Sequence, residues 1–436
     1  MLTILFILVS LVILKGLAGV VEAVSYHRYI RSRLSHRLPP WTPPATVILP
    51  CKGLDHDLEK NLEALLSQDY PHYELVVVVA SSDDEAVPVI ERLLQCYPQH
   101  PAKLVVAGRS AGRGEKVHNL IQAVKHSDPA SEVLVFTDSD SRVDPAWLRN
   151  LVSPLLQEGV GASTGYRWYL PDSHHPAGVL RSVWNASVAT LLGNHRHNFA
   201  WGGSMALRRE VYEQARVLDH WQNSLSDDYS LTQAVKKAGL RIHYEPRCLV
   251  ASHGNCSWRE LVEWTNRQIL ITRYYSPRLW KLALVSQTLF VSTWWWAVLH
   301  WVAEGGKIQG VEAGFLGMPL SQAAGSGLAV LIILFLGGVR GALRLRTIML
   351  MRPRDKAALL RYAWGHVFLF PLSSTLTLCN LLVSAVTSEM VWRGVRYRLI
   401  SDHELLVLGA PPDAPGSGDS CEHDAPNAGG PVGHSA

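Results

Sequence analysis

Apolar residues are arranged along this chain in two ways. Residues 2–24, 280–302, 323–339 and 362–386 are apolar almost throughout. Between the first and second of these stretches, short apolar runs alternate with segments whose apolar residues recur at helical spacing. The runs at 46–49, 75–80, 103–107 and 133–137 read as strands. Leu58, Leu62, Leu65 and Leu66, then Val89, Ile90, Leu93 and Leu94, mark helices after the first two. Fully apolar strands alternating with helices predict an α/β domain, a mostly parallel sheet with helices on both faces. Ligands of such sheets sit outside the carboxyl ends of the strands.

The long stretches have the length and composition of membrane spans. Residues 2–24 are interrupted only by Lys15 and Glu22, and nothing basic precedes Lys15. A signal peptide would begin with a basic segment, so an uncleaved anchor is expected. Trp294, Trp295, Trp296 and Trp301 mark the second stretch as interfacial at one end. Arg28, Arg31, Arg33 and Arg37 follow the first stretch, and Arg340, Arg344, Arg346, Arg352, Arg354 and Lys356 follow the third. These clusters predict a multi-pass membrane protein with its soluble domain in the cytosol and its N-terminus outside. Four complete spans would leave the C-terminus outside, yet Arg393, Arg396 and Arg398 argue for inside. One stretch is therefore expected to be re-entrant or interfacial, and Pro371 makes the last one the candidate. The expected organisation is an anchor at 1–25, a cytosolic domain at 40–279, a membrane region at 280–400 with two or three spans, and a disordered tail at 409–436.

The net charge of +4 is small for 436 residues, and no nucleic-acid polymer is expected as a partner. Six cysteines without a CxxC or metal-like spacing read as reduced cytosolic thiols.

Three acidic clusters carry the candidate chemistry: Asp83-Asp84, Asp138-Ser139-Asp140 and Asp227-Asp228. Each follows a strand or opens a helix, so each could simply cap a helix. Their order on a βα scaffold points instead to a shared crevice. A DxD suits a divalent cation on a diphosphate, and a separate carboxylate suits a base. Carboxylates so close repel, and Lys52, Arg113 and Lys116 are the candidate phosphate-binding cations. Trp201 and Gly202-Gly203 read either as part of a sugar floor or as a core tryptophan beside a tight turn. His253 reads as a structural histidine, with a metal ligand as the alternative.

The series Pro50-Cys51-Lys52-Gly53, Asn61-Leu62, Gln68-Asp69-Tyr70-Pro71, Asp83-Asp84, Lys116-Val117-His118-Asn119-Leu120, Asp138-Ser139-Asp140, Gly203-Ser204-Met205 and Asp228-Tyr229 resembles the family-2 glycosyltransferases. More narrowly it is similar to their ceramide glucosyltransferase branch, as is Trp392-Arg393-Gly394 running on to Tyr397-Arg398-Leu399. The resemblance covers about residues 45–400. It implies a GT-A-type nucleotide-sugar domain and an inverting, metal-dependent transfer. Glucose from UDP-glucose would go to a lipid hydroxyl such as that of ceramide, taken from the bilayer. It also implies that Asp84 helps hold the nucleotide, that Asp138 and Asp140 hold Mn²⁺ or Mg²⁺, and that Asp228 is the base. Lys52, Lys116, Gly203, Arg267 and Gln268 join the nucleotide-sugar site.

The family's (Q/R)xxRW element is incomplete. Trp264-Thr265-Asn266-Arg267-Gln268 supplies an arginine without the polar leader or closing tryptophan. Leu270-Ile271-Thr272-Arg273-Tyr274 is the other option, and the distance after Asp228 favours Arg267-Gln268. The alternatives for function are transfer to another lipid (a hopanoid, diacylglycerol or polyprenyl phosphate), a processive polysaccharide synthase, or an inactive membrane scaffold. A processive synthase would need the complete motif and a longer helix bundle. A scaffold would have no use for three intact acidic elements.

Overall fold

The computed structural model describes residues 2–173, 175–193, 196–303 and 322–409. Seven strands form one sheet: β1 (Ala45–Pro50), β2 (Tyr73–Val79), β3 (Ala102–Val106), β4 (Val133–Thr137), β5 (Val160–Leu170), β6 (Ser204–Arg208) and β7 (Arg241–His253). Their order is β3-β2-β1-β4-β6-β5-β7. The four strands that the apolar runs predict are there, mutually parallel. The strands β5 and β7 are also parallel, and β6 runs antiparallel to both of its neighbours.

Alternate residues of each central strand enter opposite cores. Val47 and Leu49, Leu75, Val77 and Val79, and Val133 and Val135 face the helices Leu58–Leu66 and Val87–Cys96. Ile48, Val76, Val78, Leu134 and Phe136 face Glu115–His126 and Asp227–Lys237. With both faces covered, the strands have no reason to alternate with polar residues, which is why they read as continuous apolar runs.

Among the described residues, three helices are long and apolar enough to cross a membrane: Ile7–Ser35, Pro277–Ala303 and Gly325–Met351. The fourth apolar stretch is broken into Ala363–Phe368 and Phe370–Val386. The latter has 17 residues, short of the roughly 20 a spanning helix needs. Pro371 lies in its first turn, so the proline opens this helix and does not interrupt a longer one in mid-span. The N-terminal helix docks on the sheet: Tyr26 and Ile30 pack with Trp168 and Leu170 of β5, Leu249 of β7, and Leu345 and Ile348 of the third spanning helix.

The chain then returns to the sheet domain. A second, antiparallel sheet of β8 (Glu389–Trp392), β9 (Val395–Ser401) and β10 (Glu404–Gly409) follows the apolar region. Its Met390, Tyr397, Leu399 and Leu405 pack on Leu270, Ile271 and Tyr275 of the helix Trp258–Tyr275. The five described cysteines are unpaired. Cys421 and the expected tail beyond residue 409 lie outside the described residues.

Candidate active site

The parallel strand β4 ends at Thr137 and delivers Asp138-Ser139-Asp140 to the carboxyl edge of the sheet. Two cations meet this turn. Lys116, in the first turn of Glu115–His126, places Nζ 2.7 Å from Asp138 and 3.1 Å from Asp227. Arg167 reaches out of β5, 2.8 Å from Asp138 and 2.9 Å from Asp140. It also donates to the Tyr169 hydroxyl at 2.8 Å and lies 4.7 Å over the Trp201 ring. Burial opposes the charge on Asp138, but Lys116 and Arg167 outweigh it and hold that carboxyl below the usual range. Burial prevails at Asp227, whose carboxyl is pushed up despite Lys116, with Asp228 adding to the rise.

Asp227 and Asp228 open the helix Asp227–Lys237, but its cap is Ser226, whose hydroxyl accepts from Tyr229 N. Asp228 is thus not needed as the cap. Its Oδ1 accepts from the Ser226 hydroxyl and from Tyr229 N at 2.8 Å. Among the described residues, its Oδ2 accepts only from the Gly202 N–H, at 3.4 Å. The glycine pair allows this convergence. A Cβ on Gly202 would stand 2.2 Å from Asp227 Oδ2, and one on Gly203 2.2 Å from the Trp201 ring and 2.7 Å from Asp138 Oδ2. Only a residue without a side chain fits there.

These groups line a cavity of about 450 Å³, which also takes in Lys52, Trp201, Arg267, Gln268 and Asp140. Gly203 stands behind Trp201, and neither it nor Arg113 is among the lining residues. Asp84 is not among them either. Its Oδ1 accepts from Gly53 N at 2.8 Å and Ala86 N at 2.9 Å, tying together the loops after β1 and β2. Asp83 is exposed on the same turn. Lys52 pairs with Glu115 at 2.6 Å.

The two options for the incomplete arginine motif separate cleanly. Arg267 faces the cavity, 5.4 Å over the Trp392 ring, and burial lowers its pKa to about 10. Arg273 turns away and donates to the Ser384 and Thr387 carbonyls. His253 stands 3.9 Å from Asp172 at the cavity's edge, and burial holds its pKa down.

Among the described residues, no group of three or more His, Cys, Asp or Glu is disposed to hold a metal. Asp138 and Asp140 nevertheless fit a hard divalent cation of the kind that takes one or two carboxylates and completes its shell with phosphate oxygens and water. The guanidinium bridging them shows that the pair calls for positive charge at that point.

The sequence reading missed Arg167, Tyr169 and Asp55. The signal for Arg167 was present, since a charged residue inside a fully buried strand needs a buried counter-charge. Asp55 accepts from the Ser139 hydroxyl within the DxD, and no pattern in the sequence links those positions.

A cavity lined by paired carboxylates and cations at the carboxyl edge of an α/β sheet, in a chain that also carries long apolar helices, defines the class. The family profile described as glycosyl transferase family 21 matches residues 5–405, from the first apolar helix into β10. The chain belongs to that family. Ceramide glucosyltransferase 3 of Caenorhabditis elegans is 34% identical over 130 residues, 28% of each chain. Ceramide glucosyltransferase 1 of the same organism is 23% identical over 215 residues, 48% of this chain and 46% of that one. The matches thus span less than half the length of these curated relatives. Among solved structures, the mannosyltransferase PcManGT from Pyrobaculum calidifontis, in complex with GDP-Man and Mn²⁺, is 20% identical with a TM-score of 0.43. That likeness covers 87% of this chain and 98% of that one.

Proposed function

We propose that this protein is a membrane-bound inverting glycosyltransferase that moves a hexose from a nucleotide donor, UDP-glucose in the first instance, to a lipid hydroxyl such as that of ceramide. The observation that carries the reading is the convergence of Asp138, Asp140, Lys116, Arg267 and Asp228 on one cavity beside a bundle of apolar helices. The names of the curated relatives support the lipid and the sugar. The arginines after the first and third apolar stretches support a multi-pass chain with the sheet domain in the cytosol.

Asp228 serves as the base. Its Oδ1 is held by two donors, which leaves Oδ2 to take the proton of the acceptor hydroxyl. The acceptor oxygen bonds to the anomeric carbon as the bond to the diphosphate breaks, its electron pair leaving with the diphosphate. Attack from the opposite face turns an α-linked donor into a β-glycoside. Lys116 and Arg267 orient the donor's anionic part, and Asp138 and Asp140 would hold Mn²⁺ or Mg²⁺. The ion supplies positive charge against the departing diphosphate, so no acid is needed there.

Asp228→Asn tests this. Asparagine keeps the shape and Ser226 remains the cap, so thermal stability and donor binding by calorimetry should stay near wild type. Transfer should fall by about 10²–10⁴-fold, the usual worth of a general base. Near-wild-type turnover would remove Asp228 from the reaction.

A further inference from the structure

We propose that Arg393, at the tip of the β8–β9 turn, is a donor-binding residue that grips the diphosphate of the nucleotide sugar. The inference rests on the nucleotide-sugar reading above and adds a residue from a separate part of the chain. The turn projects Trp392 and Arg393 into the cavity, and Tyr397 follows on β9. Arg393 donates to the Lys52 carbonyl at 3.0 Å and pairs with Asp55 at 2.7 Å. It lines the same cavity as Asp138 and Asp140.

The backbone gives a second, independent reason. Arg393 has φ 50° and Gly394 φ 75°, so both central residues of this tight turn are left-handed. Asn, Asp and Gly are the residues such turns ordinarily use, and a long side chain there is strained. Packing does not explain the arginine, because its side chain is 42% exposed. Strain of this sort is kept where the side chain has work to do.

Three other cations of the cavity are tied to acidic partners, two of them to two carboxylates each, whereas Arg393 has the single carboxylate of Asp55. Lys52 is tied to Glu115, Lys116 to Asp138 and Asp227, and Arg167 to Asp138 and Asp140. The helix Trp258–Tyr275 offers the cavity Arg267, whereas Leu270 is buried against the hairpin. A diphosphate needs more than one cation, and a guanidinium can contact two of its oxygens at once. Arg393 supplies from the hairpin what the incomplete arginine motif does not.

The test is calorimetry on the full-length, detergent-purified protein with Mn²⁺, using UDP, GDP and UMP as probes. Arg393→Asn suits the left-handed turn and removes the guanidinium together with its contacts to Asp55 and the Lys52 carbonyl. The expected result is a roughly 10- to 100-fold weaker UDP affinity, the worth of one charge-assisted contact, with UMP affinity little changed. Arg398→Asn, in the same hairpin but paired outward with Glu389, should leave both affinities alone. Unchanged UDP binding by Arg393→Asn overturns the proposal. So does an equal loss for UMP, or an equal loss in Arg398→Asn, since each would assign the effect to the hairpin as a whole. Wild-type protein that binds UDP while Arg393→Asn does so equally well refutes the role of Arg393 alone. Wild-type protein that binds neither UDP nor GDP refutes the nucleotide-sugar reading together with it.

Discussion

Arg167 is the most heavily engaged cation of the site, and replacing it gives a quantitative test of how the site is held. Its side chain is 10% exposed, and its two acidic partners, Asp138 and Asp140, are 22% and 34% exposed. Arg167→Met keeps much of the aliphatic volume, strands Asp140 and leaves Asp138 to Lys116 alone. Removing one partner of a buried ion pair costs about 3–5 kcal/mol. Water reaches Asp140 in part, which puts this case at the lower end, near 3 kcal/mol. For a domain of this size that is a fall of roughly 6–12 °C in the melting temperature. The assay is a thermal melt of purified protein in EDTA and again in saturating Mn²⁺. In EDTA the full deficit should appear. In Mn²⁺ the deficit should narrow, because the ion replaces the guanidinium's charge between the same carboxylates. A ligand at 100 times its Kd stabilises by about 2.7 kcal/mol, enough to offset most of the loss. A shift below about 2 °C in EDTA, less than 1 kcal/mol, would refute the ion network as a structural support. An equal response of both proteins to Mn²⁺ would refute the idea that ion and guanidinium answer the same need.

Three further outcomes are expected. Chelation should abolish sugar transfer, Mn²⁺ or Mg²⁺ should restore it, and full activity of Asp138→Ala/Asp140→Ala in EDTA would exclude the acidic pair from metal binding. Cys96 is exposed on the sheet domain, so a membrane-impermeant maleimide should label it in broken cells and leave it untouched in intact ones; labelling in intact cells would reverse the orientation. Asp227 has a carboxyl raised by burial, so the folded state binds its proton more tightly than the unfolded state does. Its contribution to stability is therefore lost as pH rises from the ordinary carboxylate range toward neutrality, and Asp227→Asn should flatten that part of a melting-temperature profile. A profile of unchanged slope would contradict the assignment.

The apolar runs at β1 to β4 were legible because parallel strands covered on both faces have to be apolar throughout. The acidic clusters were legible for a related reason, since polar residues directly after such strands stand at the ligand edge. The strand β5 was harder to read. Its eleven residues are all buried, yet they include Ser163, Thr164 and Arg167, whose partners come from distant segments. Sequence spacing carries no trace of such pairings. Asp84 shows the opposite limit: a residue of the right type in the right place spends one carboxyl oxygen on the Gly53 and Ala86 amides beside the cavity. Composition alone does not separate a loop tie from a ligand contact. Pro371 was expected to break the final apolar stretch in mid-span, and it lies instead in the first turn of Phe370–Val386, where proline is tolerated.

The β8–β10 sheet bears on the conflict between the basic residues near the C-terminus and the number of apolar stretches. Arg393 touches Lys52 and Asp55, so the hairpin and the sheet domain stand on the same side of any membrane. On the multi-pass reading proposed above, the chain between Tyr275 and Glu389 would cross an even number of times. Pro277–Ala303 and Gly325–Met351 are long and apolar enough to supply two crossings. Phe370–Val386 would be a third, and it is too short, begins at a break, and lies against the helix Trp258–Tyr275, where Asn380 donates to Asn266 at 2.7 Å. On that reading, a helix tied by this contact to one that lines the cavity would enter and leave on the domain's side. That arrangement sets an apolar helix against the helix that carries Trp264 and Arg267 of the cavity lining, and it would let the lipid acceptor proposed above present its hydroxyl without leaving the membrane.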